Sequence, residues 1–98
     1  MKKNEFESYR CVCLCTTHLT ADDAEVLTEL ANINEDKMIF DRQTGFIVKL
    51  YGEPDYNNRE GMSASYTKIV DWALAKGYRQ IEFDHDVEPV DYFETFQW

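Results

Sequence analysis

The residue types best suited to chemistry stand at two places, His18 and the pair Asp84 and Asp86. Carboxylate oxygens are the preferred ligands of magnesium and manganese, and an Asp-x-Asp pair offers two sets of them at short range. An imidazole titrates near neutrality, and an aspartate beside it can orient the ring for general acid and base work. Together His18, Asp84 and Asp86 would suit a small metal-dependent enzyme acting on a phosphate-containing substrate, with Asp84 and Asp86 as metal ligands. Plainer roles compete at each position. His18 lies two residues before Thr20, where side chains bond locally at a helix start, while Asp84 and Asp86 suit a strand end and the turn after it. Gly45, Gly52, Gly61 and Gly77 are isolated, so there is no glycine-rich phosphate loop or nucleophile elbow, and His18 and His85 fit no zinc signature. The balance is against an enzyme, and no cofactor is expected.

Cys11, Cys13 and Cys15 repeat at the period of a strand, which sends all three side chains to one face. An odd number with no distant fourth cysteine argues against a disulfide framework. Same-face neighbours on a strand are about 6–7 Å apart, too far for three thiolates to hold one small ion without distortion. The cysteines are therefore expected as small buried hydrophobes, with metal or redox use as the alternative.

The chain carries 19 Asp and Glu against 10 Lys and Arg in 98 residues, a net charge of −9, and 44% of it is apolar. That is a single domain, 1–98, with the material for a core. Acids concentrate in two stretches without Lys or Arg, six over positions 11–36 and six over 80–98. Such a surface repels phosphate backbones, so direct nucleic-acid binding is not expected and a basic or nucleic-acid-binding protein is the natural partner. Asp22, Glu25 and Glu29 fall on one side of a helix, whereas Glu82, Asp84 and Asp86 alternate along a strand. Side chains so placed on a strand recur every 6–7 Å or so, comparable to successive phosphates, which makes DNA mimicry the sharper form of this reading. The C-terminal segment 87–98 adds Tyr92, Phe93, Phe96 and Trp98, either as apolar contacts for a partner or as rings that fold back on the sheet or on a second subunit in a homodimer. No apolar run approaches the roughly 20 residues that span a bilayer, so membrane attachment is not expected and the location reads as cytoplasmic.

The elements that must position these residues follow from hydropathy period. Residues 9–17 alternate cysteines with Val12 and Leu14, apolar on both faces, the mark of a central strand. Thr20 caps a helix over 21–31 or 21–33, with Asp22 and Asp23 in its first turn and Ala24, Leu27, Leu30 and Ala31 inward. Runs 38–41 and 46–51 pair antiparallel around Arg42-Gln43-Thr44-Gly45, where Gly45 supplies the positive φ of a tight turn. After a polar loop, Ser63 or Ser65 caps a second helix over 64–76 that Gly77 ends, and 78–83 forms the last strand. The order β-α-β-β-α-β predicts an α+β, ferredoxin-like split β-α-β fold: two helices on one face of a four-stranded antiparallel sheet, with the first and last strands adjacent in the middle. Antiparallel strands would hold His18 most of a strand length from Asp84. Only a parallel pairing would bring those ends together.

At Cys15-Thr16-Thr17-His18-Leu19-Thr20, at Gly45-Phe46-Ile47-Val48, and from Ala73-Leu74-Ala75-Lys76-Gly77-Tyr78 through Asp84-His85-Asp86 to Phe96-Gln97-Trp98, the chain resembles an uncharacterised family, a domain of unknown function found in small accessory proteins of bacterial prophages, plasmids and other mobile elements. His18-Leu19-Thr20 matches a His-Leu/Ile-Thr of that pattern and Asp84-His85-Asp86 its Asp-x-Asp, with His85 where the pattern suggests Arg. The resemblance carries no activity. It implies a role in the contest between mobile element and host, so the leading expectation is a non-enzymatic acidic accessory or inhibitor protein, opposing a host defence factor.

Overall fold

Helices and strands follow one another as the hydropathy period predicts: β1 (Arg10–Leu14), α1 (Ala21–Asn32), β2 (Ile39–Asp41), β3 (Gly45–Lys49), α2 (Ala64–Ala75) and β4 (Tyr78–Asp84), with single 3-10 turns at Thr16–His18 and Pro54–Asn57. They are drawn from a computed structural model that describes residues 6–33 and 36–98. Both expected caps form. Thr20 and Asp23 exchange side-chain and backbone hydrogen bonds in a capping box at the start of α1, and Ser63 Oγ accepts from Tyr66 N at the start of α2. The buried Asp23 carboxylate also accepts from Ser63 N at 2.8 Å and Ser63 Oγ at 2.7 Å, so one side chain ties the two helix N-termini together.

Strand order in the sheet is β1-β4-β3-β2. β2 pairs with β3 and β3 with β4 in antiparallel fashion, but β1 runs parallel to β4. The sheet is therefore mixed rather than wholly antiparallel, and β4, not β1, is central. The same element order serves both arrangements, since local pattern sets the two faces of a strand without naming its neighbour. β1 is an edge strand, and its burial follows: Leu14 is buried and Val12 half-buried, while Cys11 and Cys13 are exposed. Only Cys15, just past the strand, is the buried hydrophobe expected of all three.

Both helices cover one face, α1 against β2 and α2 against β4. Between them and the sheet lie Leu14, Leu27, Val48, Ile69, Ile81 and Phe83, with Phe93 of the C-terminal segment added at one end. Cys11, Cys13, Glu82 and Asp84 lie on the opposite face. The β2–β3 turn departs from expectation in one respect. Gln43 holds the positive φ, 67°, with Thr44 N donating to Arg42 O at 2.7 Å in a γ-turn. Gly45 serves instead to let β3 approach β4, because a Cβ there would stand 1.7 Å from the Phe83 carbonyl oxygen. Among the described residues no helix is long and apolar enough to cross a membrane.

Candidate functional site

Parallel pairing of β1 with β4 carries the chain segments that follow them to the same end of the sheet. The C-terminal ends of parallel strands are where open α/β sheets generally bind ligands, because the loops diverge there and leave a crevice. A cleft of about 460 Å³ opens at this end. Thr16, Thr17, Thr28, Thr44 and Gln43 contribute polar groups and Asp41 a carboxylate, His85 stands at one side, and Phe46, Phe96 and Trp98 line the rest.

The chain turns sharply as it leaves β4. Asp84 Oδ1 accepts from Asp86 N at 3.0 Å, and Val87 N returns to Asp84 O at 3.2 Å. This brings one ligand atom from each of Asp84, His85 and Asp86 to within 4.8 Å of one another. His85 is anchored twice to the Thr44 carbonyl, through its backbone N–H at 3.0 Å and its ring Nδ1 at 3.3 Å. A carbonyl oxygen only accepts, so Nδ1 is the donor to Thr44, and Nε2 lies 3.2 Å from Asp86 Oδ1, a contact that an Nε2–H makes and in which a bound cation would replace that proton. Two cis ligands of an octahedral ion with bonds of about 2.1–2.3 Å would be separated by about 3.1 Å, so this pair needs little adjustment. Fixing the second ring nitrogen on a backbone carbonyl is the usual support of a metal-bound histidine.

Arg42 supplies a basic group that sequence reasoning missed. Its Nη1 lies 2.8 Å from Asp84 Oδ2 and 2.6 Å from Glu82 Oε2. The Asp86 amide and then the Arg42 guanidinium hold the Asp84 carboxyl below the usual aspartate range, and the bond to Asp84 raises Arg42 in turn. No local signal points to it: only the β3–β4 register, which pairs Gly45 with Asp84, places the turn that carries Arg42 beside the end of β4.

His18 stands apart from this group. Its ring is fully buried, Nδ1 donates to Glu94 O at 2.9 Å, and Nε2 accepts from Val90 N at 3.1 Å. Phe93 packs edge-on against it with ring centroids 5.7 Å apart. Both nitrogens are thus committed to the C-terminal segment. Further along, Phe96 N donates to Thr17 O at 2.8 Å and Trp98 Nε1 to Leu19 O at 2.9 Å, so the segment is strapped across the 3-10 turn even though Tyr92 and Trp98 are each 63% exposed. Asp22, Glu25 and Glu29 are exposed on α1, on the helical side of the domain, while Glu82 and Asp84 lie on the uncovered sheet face and Asp86 just beyond it. The two acidic rows face different directions.

The balance against an enzyme is corrected by this geometry. Asp84, His85 and Asp86 form a convergent ligand set, of which His85 also lines the cleft, and the imidazole comes from His85 where the sequence pointed to His18.

Comparison with curated proteins and with solved structures yields no match to this chain. Residues 11–98 do match a family model, and the chain belongs to that family, described as "Family of unknown function (DUF5983) C-terminal domain".

Proposed function

We propose that the chain binds a divalent cation of the magnesium or manganese class through Asp84, His85 and Asp86 and acts on a phosphate-containing substrate held in the adjoining cleft. The observation that carries this reading is the approach of three ligand atoms to within 4.8 Å, with the His85 ring held on the Thr44 carbonyl through Nδ1. The hydroxyls of Thr16 and Thr44 suit phosphate oxygens as donors, those of Thr17 and Thr28 being given to Cys15 Sγ and Ala24 O, and Arg42 lies one carboxylate away. A net charge of −9 would otherwise repel a phosphate, so a cation at the cleft edge is what makes its approach favourable. A divalent ion bound there supplies Lewis-acid neutralisation of a phosphoryl oxygen. Arg42 keeps Asp84 ionised and in place, and Thr44 keeps His85 aimed.

Calorimetric titration with manganese chloride, paired with phosphate release from a panel of phosphomonoesters and phosphodiesters, tests both halves. One ion per chain should bind, with affinity about 10-fold or more weaker in Asp86→Asn and His85→Ala. Equal affinity in the variants would remove the site. Binding without turnover of any phosphoester would remove the enzymatic half.

A further inference from the structure

A second cluster lies on the uncovered face of the sheet, away from the cleft. Cys11 Sγ, Cys13 Sγ and a Glu82 carboxylate oxygen all lie within 4.8 Å of one another. The sheet register produces this grouping: the parallel pairing sets Cys13 directly opposite Glu82 and Cys11 opposite Gln80. Side chains at these four positions point out of the sheet on the side that neither helix covers, and both thiols are exposed. Two of the groups are already oriented. Gln80 Nε2 donates to Cys11 Sγ at 3.6 Å, and Arg42 Nη1 holds Glu82 by Oε2 at 2.6 Å, which leaves Oε1 without that cation.

We infer that Cys11, Cys13 and Glu82 form a binding site for a thiophilic d10 cation of the zinc class, with two thiolates and one carboxylate as protein ligands and the fourth tetrahedral position open. Thiolate and carboxylate ligands at about 2.3 and 2.1 Å from zinc stand roughly 3.6–3.8 Å from one another, so closing the cluster needs contraction by no more than about 1 Å. Exposed side chains on an edge strand reach that by small changes of χ angle, without moving the backbone. A disulfide fits the same pair less well. Residues two apart on a strand have Cα atoms about 6.5–7 Å apart, at or beyond the outer limit of disulfide geometry. Soft thiolate ligands separate this site from the oxygen-rich one at the end of β4, since the two sets prefer different ions. The inference stands independently of the proposed function, because it shares no ligand with Asp84, His85 and Asp86.

Cadmium titration of the reduced full chain, followed by ultraviolet thiolate-to-metal absorption and by native mass spectrometry, provides the test. One cadmium per chain should bind with a charge-transfer band of two thiolates, and zinc should displace it. Cys11→Ser and Cys13→Ser should each lose the two-thiolate band, and Glu82→Gln should weaken binding about 10-fold or more. Cys15→Ser and Asp86→Asn should leave the band intact. Circular dichroism of the Cys11 and Cys13 variants checks that the fold survives, and Cys13→Ala provides a second variant without a hydroxyl ligand. A band that persists in Cys13→Ala, or no band in the unaltered chain, would overturn the inference.

Discussion

Replacing His18 by alanine separates a structural histidine from a chemical one. The substitution deletes two hydrogen bonds that tie the C-terminal segment to the turn after β1, Nδ1–H to Glu94 O and Val90 N–H to Nε2. Each contributes about 1 kcal/mol net. It also empties the space of a fully buried ring in contact with Phe93, worth about another 1–1.5 kcal/mol. The sum is about 3 kcal/mol, a large part of the 5–15 kcal/mol or so available to a domain of this size, and it corresponds to a fall in Tm of roughly 15 °C. Urea unfolding followed by tryptophan fluorescence would measure it. Hydrogen exchange should show where it acts, with protection falling first at the Val90 and Phe96 amides, since Phe96 N bonds Thr17 O in the same strap. Manganese affinity should stay within about 2-fold of the unaltered chain, because His18 contributes no ligand atom to the Asp84, His85, Asp86 set. A variant as stable as the original to within 0.5 kcal/mol or so, but deficient in metal binding, would refute the reasoning and return His18 to the site.

Three further outcomes are expected. Gly45→Ala places a methyl 1.7 Å from the Phe83 carbonyl and must push β3 from β4, so thermal or denaturant unfolding should show a loss of about 3 kcal/mol or more. Tyr66→Phe removes a buried hydroxyl that has no hydrogen-bond partner among the described residues and whose pKa burial has pushed up to about 12; stability should rise by up to about 1 kcal/mol in the same assay. Burial acts to raise Asp36, but the hydrogen bonds from Arg59 and the Met38 amide outweigh it and hold the carboxyl below its ordinary value of 3.8. Its contribution is therefore fully present above that value and lost as pH falls through the lower folded value. Arg59→Ala should cost about 2 kcal/mol at pH 7, since the two side chains are only 10% and 15% exposed, and should diminish this acid-side loss in a pH series of unfolding curves.

Local features were well specified by sequence. Thr20 and Ser63 cap their helices because hydroxyl acceptors beside unsatisfied N–H groups need no distant partner, and the element order follows from apolar period alone. What failed was non-local. The expected adjacency of β1 and β4 forms, but nothing in residues 10–14 says that the pair runs parallel, and that direction decides whether the segments after β1 and β4 meet. The cysteines were misplaced for the same reason, since an edge strand leaves Cys11 and Cys13 outside while a central strand between covered faces would bury them. At the candidate site, Asp84 and Asp86 were legible from spacing. His85 entered only as the residue between them, where the family pattern suggests Arg; in the structure the Asp84 turn bends the chain at this point and brings its ring to the two carboxylates. Arg42 was hidden by its separation of about 40 residues in sequence, a distance that only the β3–β4 register closes.

The central claim is that a divalent cation binds where β4 ends. Paramagnetic broadening by manganese in an amide NMR spectrum of the full chain tests it most directly, because the effect falls steeply with distance and maps the ion onto residues. The account predicts loss of signal at substoichiometric manganese for Asp84, His85 and Asp86 and for Thr44, whose carbonyl holds the His85 ring, with the pattern abolished in Asp86→Asn. Uniform broadening across all acidic stretches, or selective broadening centred on Asp22 and Glu25 with the end of β4 untouched, would contradict it.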